Sequence, residues 1–336
     1  MRCSREKEMH HIHLGRSIAG ILLTLGIFLL VLNIFRVSPE EILSLSPSVL
    51  VYALLINFGR FAAQAVRLHV LLRKFSNLSV SYYESFAVRA ASEFFALTTV
   101  PFLADEAART WLLAKRGMRS AKAFGLAFIE LVLDTAVGSA IAFAASLHAF
   151  AANATGIGLI ILTLSSAQIL ISFIIIGLGR RSSEAQSQDR AVKFLKHLRL
   201  PTKVRDWLSD GSEEVKQVVR DTFSPSNIKT LTFLLASTAV VMSAPALILY
   251  LQLGSIGSTG FLASLFSFHS GNVLGVLPVT VGGAGLTEAG VYIYLRTVYG
   301  INSAATVVQW RIATYYVSLI FSGVMFLVAF SRRGNN

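Results

Sequence analysis

The sequence predicts an all-α fold: a polytopic bundle of six to eight membrane helices, with two re-entrant broken segments in an inverted repeat. Three observations predict it. Of the 336 residues, 54% are hydrophobic and only 14% are charged, against about 25% in an average soluble domain. The charges are also unevenly placed, since residues 17–35, 135–179, 230–287 and 312–331 contain no Asp, Glu, Lys or Arg. Lastly, basic residues gather in alternate loops. Apolar runs of about 20 residues are the mark of helices that cross a bilayer. So little charge could not cover a soluble protein of this size. A soluble enzyme is excluded, and so is a nucleic-acid-binding protein, despite a net charge of +12. A single cysteine, Cys3, excludes an internal disulfide, a thiolate nucleophile and a cysteine metal site. No cofactor and no metal are expected.

Taken in order, residues 1–16 form a basic tail, and Ser17–Phe35 is a first span rather than a cleaved leader. Nineteen apolar residues exceed a leader's usual core, and Asn33-Ile-Phe-Arg36 offers no small-residue cleavage site. Basic loops face the cytoplasm, so the tail is assigned inside. Ser17–Phe35 then leads out, and Pro47–Val66 returns to Arg67, Arg73 and Lys74. Ala123–Leu147 leaves from Lys115, Arg116, Arg119 and Lys122, and Ile157–Leu178 comes back to Arg180 and Arg181. A basic loop, 180–229, contains an expected interfacial helix at Ala191–Leu200 and a short helix after Ser212 carrying Val215, Val218 and Val219. Thr230–Leu253 leads out, and the run 312–331 returns to Arg332 and Arg333. A single transmembrane domain, 17–331, results, with halves 47–178 and 230–331, both termini cytoplasmic and the chain in the cell membrane.

Two segments do not fit as simple spans. Ser85–Leu113 lies between basic clusters on the same side and contains Pro101, so a re-entrant hairpin broken there is expected, with surface helices as the alternative. Phe261–Tyr299 is broken at Pro278 and Gly282-Gly283-Ala284-Gly285. Charge parity allows it two crossings or one re-entrant hairpin. Interrupted helices in corresponding positions of two inverted halves are a transporter design, with the binding site where the breaks meet.

Charged residues inside such segments cost at least ~2.5–3.5 kcal/mol each at the bilayer centre and so tend to serve a function. Arg60, Gln64 and Arg67 fall at i, i+4 and i+7, on one face. Arg60 reads as a guanidinium for an anionic headgroup, or as a structural partner of Glu130 or Asp134. Glu130 and Asp134 are an i, i+4 pair suited to proton coupling or to neutralising Arg60 or Arg89. Glu93, Asp105, Glu106 and Arg109 sit in the first broken segment, where Asp105 reads as a helix cap and Gly117 as a helix stop. The glycines before Glu288 leave backbone amides to cradle an anion, or allow close helix packing. Thr287 is a candidate cap, and Arg311 opens the last span.

Together these residues resemble a known family. Arg60 through Asp134, the stretch Leu277-Pro278 to Glu288, and Arg311 are similar to the membrane domain of lysylphosphatidylglycerol synthases, which also occurs alone in flippase-like membrane proteins. The family's proline-then-Gly-Gly-x-Gly-x-x-Glu stretch is met by Pro278, Gly282, Gly283, Gly285 and Glu288. Its proline-then-Gly-Glu segment is met by Pro101, Asp105, Glu106 and Arg109. Its acidic-Arg-x-x-Asp motif is met by Glu130 and Asp134, with Leu131 in place of the Arg. The resemblance implies translocation of phospholipids or lipid-linked carriers between leaflets, not enzymatic lysyl transfer, for which 336 residues leave no room. The alternative is a membrane enzyme or accessory subunit in lipid-linked glycan or lipid modification. The expected site joins Arg60, Arg67, Arg109, Arg311 and the Gly282, Gly283 and Gly285 amides on the headgroup phosphate. Glu93, Asp105, Glu106, Glu130, Asp134 and Glu288 would balance charge or couple protons. The expected partners are membrane lipids, anionic or lipid-linked, with a homo-oligomer also compatible.

Overall fold

The structure is a computed structural model, and it describes residues 46–76, 78–99, 104–180, 202–254, 260–277 and 279–331, plus positions 26, 29, 33, 38, 40 and 41. The basic tail, Cys3, Pro101, Pro278, the expected helix Ala191–Leu200 and Arg332-Arg333 lie outside the described residues. So does the first span, except for Gly26, Leu29 and Asn33, which are helical.

Among the described residues the fold is helical throughout. Helix α1, Pro47–Phe75, starts with Pro in its first turn and ends on Arg73 and Lys74, both favourable for the backbone dipole and its free end groups. Helix α2, Tyr82–Thr98, opens with a reciprocal cap: the Ser81 side chain accepts from the Glu84 amide while Glu84 accepts from the Ser81 amide. Helix α3, Ala104–Ala114, has Asp105 in its first turn, and Gly117 takes φ 93° just past its end, which only glycine adopts at little cost. Helices α4, Ser120–Ala151, and α5, Thr155–Arg180, form a tight antiparallel pair joined at Ala152–Ala154. Helix α6, Thr202–Thr222, starts well before Ser212, so the short helix expected there is the end of a longer one. Its Val218 and Val219 are buried against Gly125 of α4 and Gly179 of α5.

The second half contains α7, Ile228–Leu253, α8, Phe261–Gly275, α9, Leu286–Tyr299, α10, Ala304–Arg311, and α11, Val317–Ser331. Between α10 and α11 the chain makes one π-helical turn, Ile312–Tyr316. Among the described residues, five segments are long and apolar enough to cross a membrane: Pro47–Phe75, Ser120–Ala151, Thr155–Gly177, Pro225–Leu253 and Ala304–Val328.

Two further segments, α2 with α3 and α8 with α9, are helical hairpins. Helices α2 and α3 have 17 and 11 residues, α8 and α9 have 15 and 14. At ~1.5 Å per residue the longest of these reaches about 26 Å, short of a ~30 Å hydrocarbon core. Helices α8 and α9, packed arm to arm, are each shorter than that core. Packing between the halves is reciprocal. Span α1 lies on span α7, hairpin arm α2 packs on the last span α11, and hairpin arm α8 packs on span α4. Each hairpin is thus clasped by a span of the opposite half, the exchange expected of two repeats related by a two-fold axis.

Candidate functional site

The breaks meet. The Gly282 amide donates to the Thr99 carbonyl at 3.0 Å, and the Tyr315 hydroxyl donates to the Leu97 carbonyl. The guanidinium of Arg311 donates to the Gly282 carbonyl at 2.8 Å and pairs with Glu288 at 2.8 Å. Arg311 also lies over the Tyr315 ring, 4.2 Å from its centroid. The π-turn sets Arg311 and Tyr315 together here. It also exposes the Ala313 carbonyl to the Asn57 amide group of α1, at 2.7 Å, which fits the association of π-turns with functional positions. Next to this joint lies a cavity of about 300 Å³. Arg60, Gln64, Arg89, Glu93, Asp105, Glu106, Arg109, Asp134, Gly282 and Arg311 all line it.

The charges around the cavity form one alternating chain. Arg60 bonds Glu93 at 3.1 Å, Glu93 pairs with Arg89 at 2.8 Å, and Arg89 reaches Asp105 at 3.3 Å. Asp105 pairs with Arg109 and Arg109 with Glu130. Glu130 accepts from Arg67 at 2.9 Å, and a second nitrogen of Arg67 donates to Asp134 at 2.9 Å. Four arginines thus alternate with four carboxylates, contributed by α1, α2, α3 and α4. A buried charge is tolerable only when paired and hydrogen-bonded, and this chain satisfies that condition link by link.

Several sequence expectations are revised by this arrangement. Glu130 and Asp134 take Arg67, not Arg60, because α4 crosses α1 near Arg67, while Arg60 lies about 10 Å further along the helix and meets α2. Arg67 is fully buried and adds a bond to Thr238 at 2.8 Å. Arg67 and Glu130 therefore stand behind the cavity wall, tying α1, α4 and α7, whereas Arg60, Arg109 and Arg311 face the cavity.

The glycine loop is revised as well. Its amides are in use within the protein: Gly282 donates to Thr99, Gly283 to Thr280, Ala284 to Val281 and Gly285 to the Glu288 carboxylate at 2.8 Å. No anion cradle is left by Gly282, Gly283 and Gly285, and the packing alternative accounts for them. Gly282 and Gly285 hold φ 56° and 85°, which turn the chain into α9. A Cβ on Gly290 would lie 2.7 Å from the Gly271 Cα, so α8 and α9 touch backbone to backbone. Glu288, not Thr287, caps α9, and its other oxygen holds Arg311. Pro101 and Pro278 are not described, but α2 ends at Thr98 and α8 at Gly275, where the breaks were expected.

The sequence reading missed Asn57, Tyr315 and Thr238. Asn57 had a usable mark, a lone amide in an apolar run three residues before Arg60. Tyr315 and Thr238 had none, since an aromatic or a threonine in a span is ordinary.

A family model, the lysylphosphatidylglycerol synthase TM region, matches residues 17–322. The chain belongs to this family. The match runs through both hairpins and every charged residue that lines the cavity. No curated protein matches the chain.

Proposed function

We propose that the protein moves a lipid with an anionic headgroup, a phospholipid or a lipid-linked carrier, from one leaflet to the other in the manner of a flippase or scramblase. One observation carries this reading. The Nε–H groups of Arg60, Arg89 and Arg109 are buried without an acceptor among the described residues, and all three arginines line the cavity. Buried donors are nearly always satisfied, and a guanidinium is the side chain best shaped for phosphate oxygens. A cavity of about 300 Å³ suits a headgroup, while the acyl chains stay among lipids beside the spans. The family match supports a lipid-related role. The interlocked hairpins support alternation, since opening one side requires exchange of contacts such as Gly282 to Thr99. In this reading the termini and basic loops are cytoplasmic, membrane lipids are the partner, and the chain is not itself an enzyme.

Liposomes carrying the purified protein and fluorescent phospholipids test it. The wild type should expose inner-leaflet label to an external quencher faster than empty vesicles, and Arg60→Ala should slow this about tenfold, with its folded state checked by thermal unfolding. A rate equal to empty vesicles for every headgroup and gradient sinks the proposal. Conversion of a lipid donor into a new product would favour a membrane enzyme instead.

A further inference from the structure

The charge chain has a ninth neighbour. Glu106 lies on α3 beside Asp105, is 5% exposed and lines the cavity. Among the described residues it makes no ion pair, and its Oε2 has no hydrogen-bond partner. The groups around it are accounted for. On its own helix stand Asp105 and Arg109; on α2, which packs against it, stand Arg89 and Glu93; on α4, Glu130 and Asp134. Every other acid in this set has an arginine of its own, at 3.3 Å or closer. Four arginines against five carboxylates leave one negative charge over, and Glu106 is the group without a counterpart. No cluster of three or more metal-binding side chains is present among the described residues.

We propose that Glu106 carries an exchangeable proton, and that an anionic headgroup binds the cavity together with that proton. The role in transport rests on the lipid reading above; the proton itself does not. With Glu106 neutral, the alternating chain balances and the arginines that line the cavity meet an anion without a competing negative charge. With Glu106 ionised, its carboxylate sits three residues before Arg109 on the same helical face. There it competes with Asp105 and Glu130 for that guanidinium, and it repels an incoming phosphate. Headgroup and proton are then linked, each raising the affinity for the other by the same factor.

Infrared difference spectra of the full chain, recorded without added lipid from acid to alkaline pH, test the proton site. The wild type should lose a protonated-carboxyl band as pH rises. Glu106→Gln should lack that band and Glu106→Asp should keep one. Binding of dioctanoyl phosphatidylglycerol, a phosphodiester that does not itself titrate over this range, tests the linkage when followed by tryptophan fluorescence. Wild-type affinity should fall about tenfold per pH unit above the midpoint of that band, and Glu106→Gln should be flat. If Glu106→Gln does not fold, wild-type proton uptake of about one per bound lipid carries the test, and zero uptake overturns the proposal. An unchanged band in Glu106→Gln, or equal pH slopes, also overturns it. A titrating Glu106 without lipid binding or flipping keeps the proton site and removes the lipid reading. Flipping without a Glu106 band does the reverse.

Discussion

The two hairpins occupy corresponding places in the two halves and are held by opposite means. The first, α2 and α3, is tied to its surroundings by charge: Arg89, Glu93, Asp105 and Arg109 bond one another and reach α1 and α4. The second, α8 and α9, is closed by contact. Gly271, Gly275, Gly283 and Gly290 bring its arms to backbone distance, and among the described residues one ion pair, Glu288 with Arg311, ties it to the last span. The ion pairs of the first hairpin have alternative partners close by, whereas the close-packed arms of the second resist gradual deformation. Under the lipid reading proposed above, the first hairpin is the part suited to rearrange and the second its fixed counterpart.

The largest effect that would break this contrast comes from Arg109→Leu, which leaves Asp105 and Glu130 short of a cation. Thermal or denaturant unfolding in detergent should show a loss of about 3–5 kcal/mol. The double variant Arg109→Leu with Glu130→Leu should recover much of it, because the pair is removed rather than broken. A double variant as unstable as the single one would mean that packing, not charge, holds the first hairpin.

The second hairpin should respond to volume instead. Gly290→Ala places a methyl against Gly271 and should cost about 1–3 kcal/mol, with no dependence on pH. A Cβ added to Gly59 of α1 would meet nothing within 4 Å, so Gly59→Ala provides the control: it should be neutral or stabilise by up to about 1 kcal/mol. Equal losses at both glycines would remove the argument from close contact.

The smallest effect sharpens the comparison at the exposed start of α2. Ser81→Ala removes a helix cap worth about 1 kcal/mol. The Ser81 backbone amide and hydroxyl hold the Glu84 carboxyl below its ordinary range. A depressed carboxyl contributes stability above its unfolded value and loses it as pH falls through the folded value. Wild-type unfolding midpoints should therefore drop at acid pH more steeply than those of Ser81→Ala; parallel curves would show the cap to be unimportant.

Much of this architecture was legible in the residues. Apolar run lengths marked the spans, and Pro101, Pro278 and the glycines marked two interruptions, because bilayer thickness and backbone geometry act locally along the chain. The site was legible in its membership but not in its wiring. Arg60, Arg109, Asp105, Glu106, Glu130, Asp134, Glu288 and Arg311 stood out by the cost of burying them. Nothing local told that Glu130 would take Arg67, or that the Gly282 amide would be claimed by Thr99, since both partners come from other helices.

Composition and charge spacing alone determine that the chain is a multi-pass helical membrane protein with costly charges kept inside it, because the bilayer acts on each segment separately. Which arginine meets which carboxylate, that α8 and α9 pack arm to arm, and that Glu106 is left over were decided by the tertiary fold. Those outcomes depend on where helices far apart in sequence cross, and a shift of two turns along α1 is enough to change every partner.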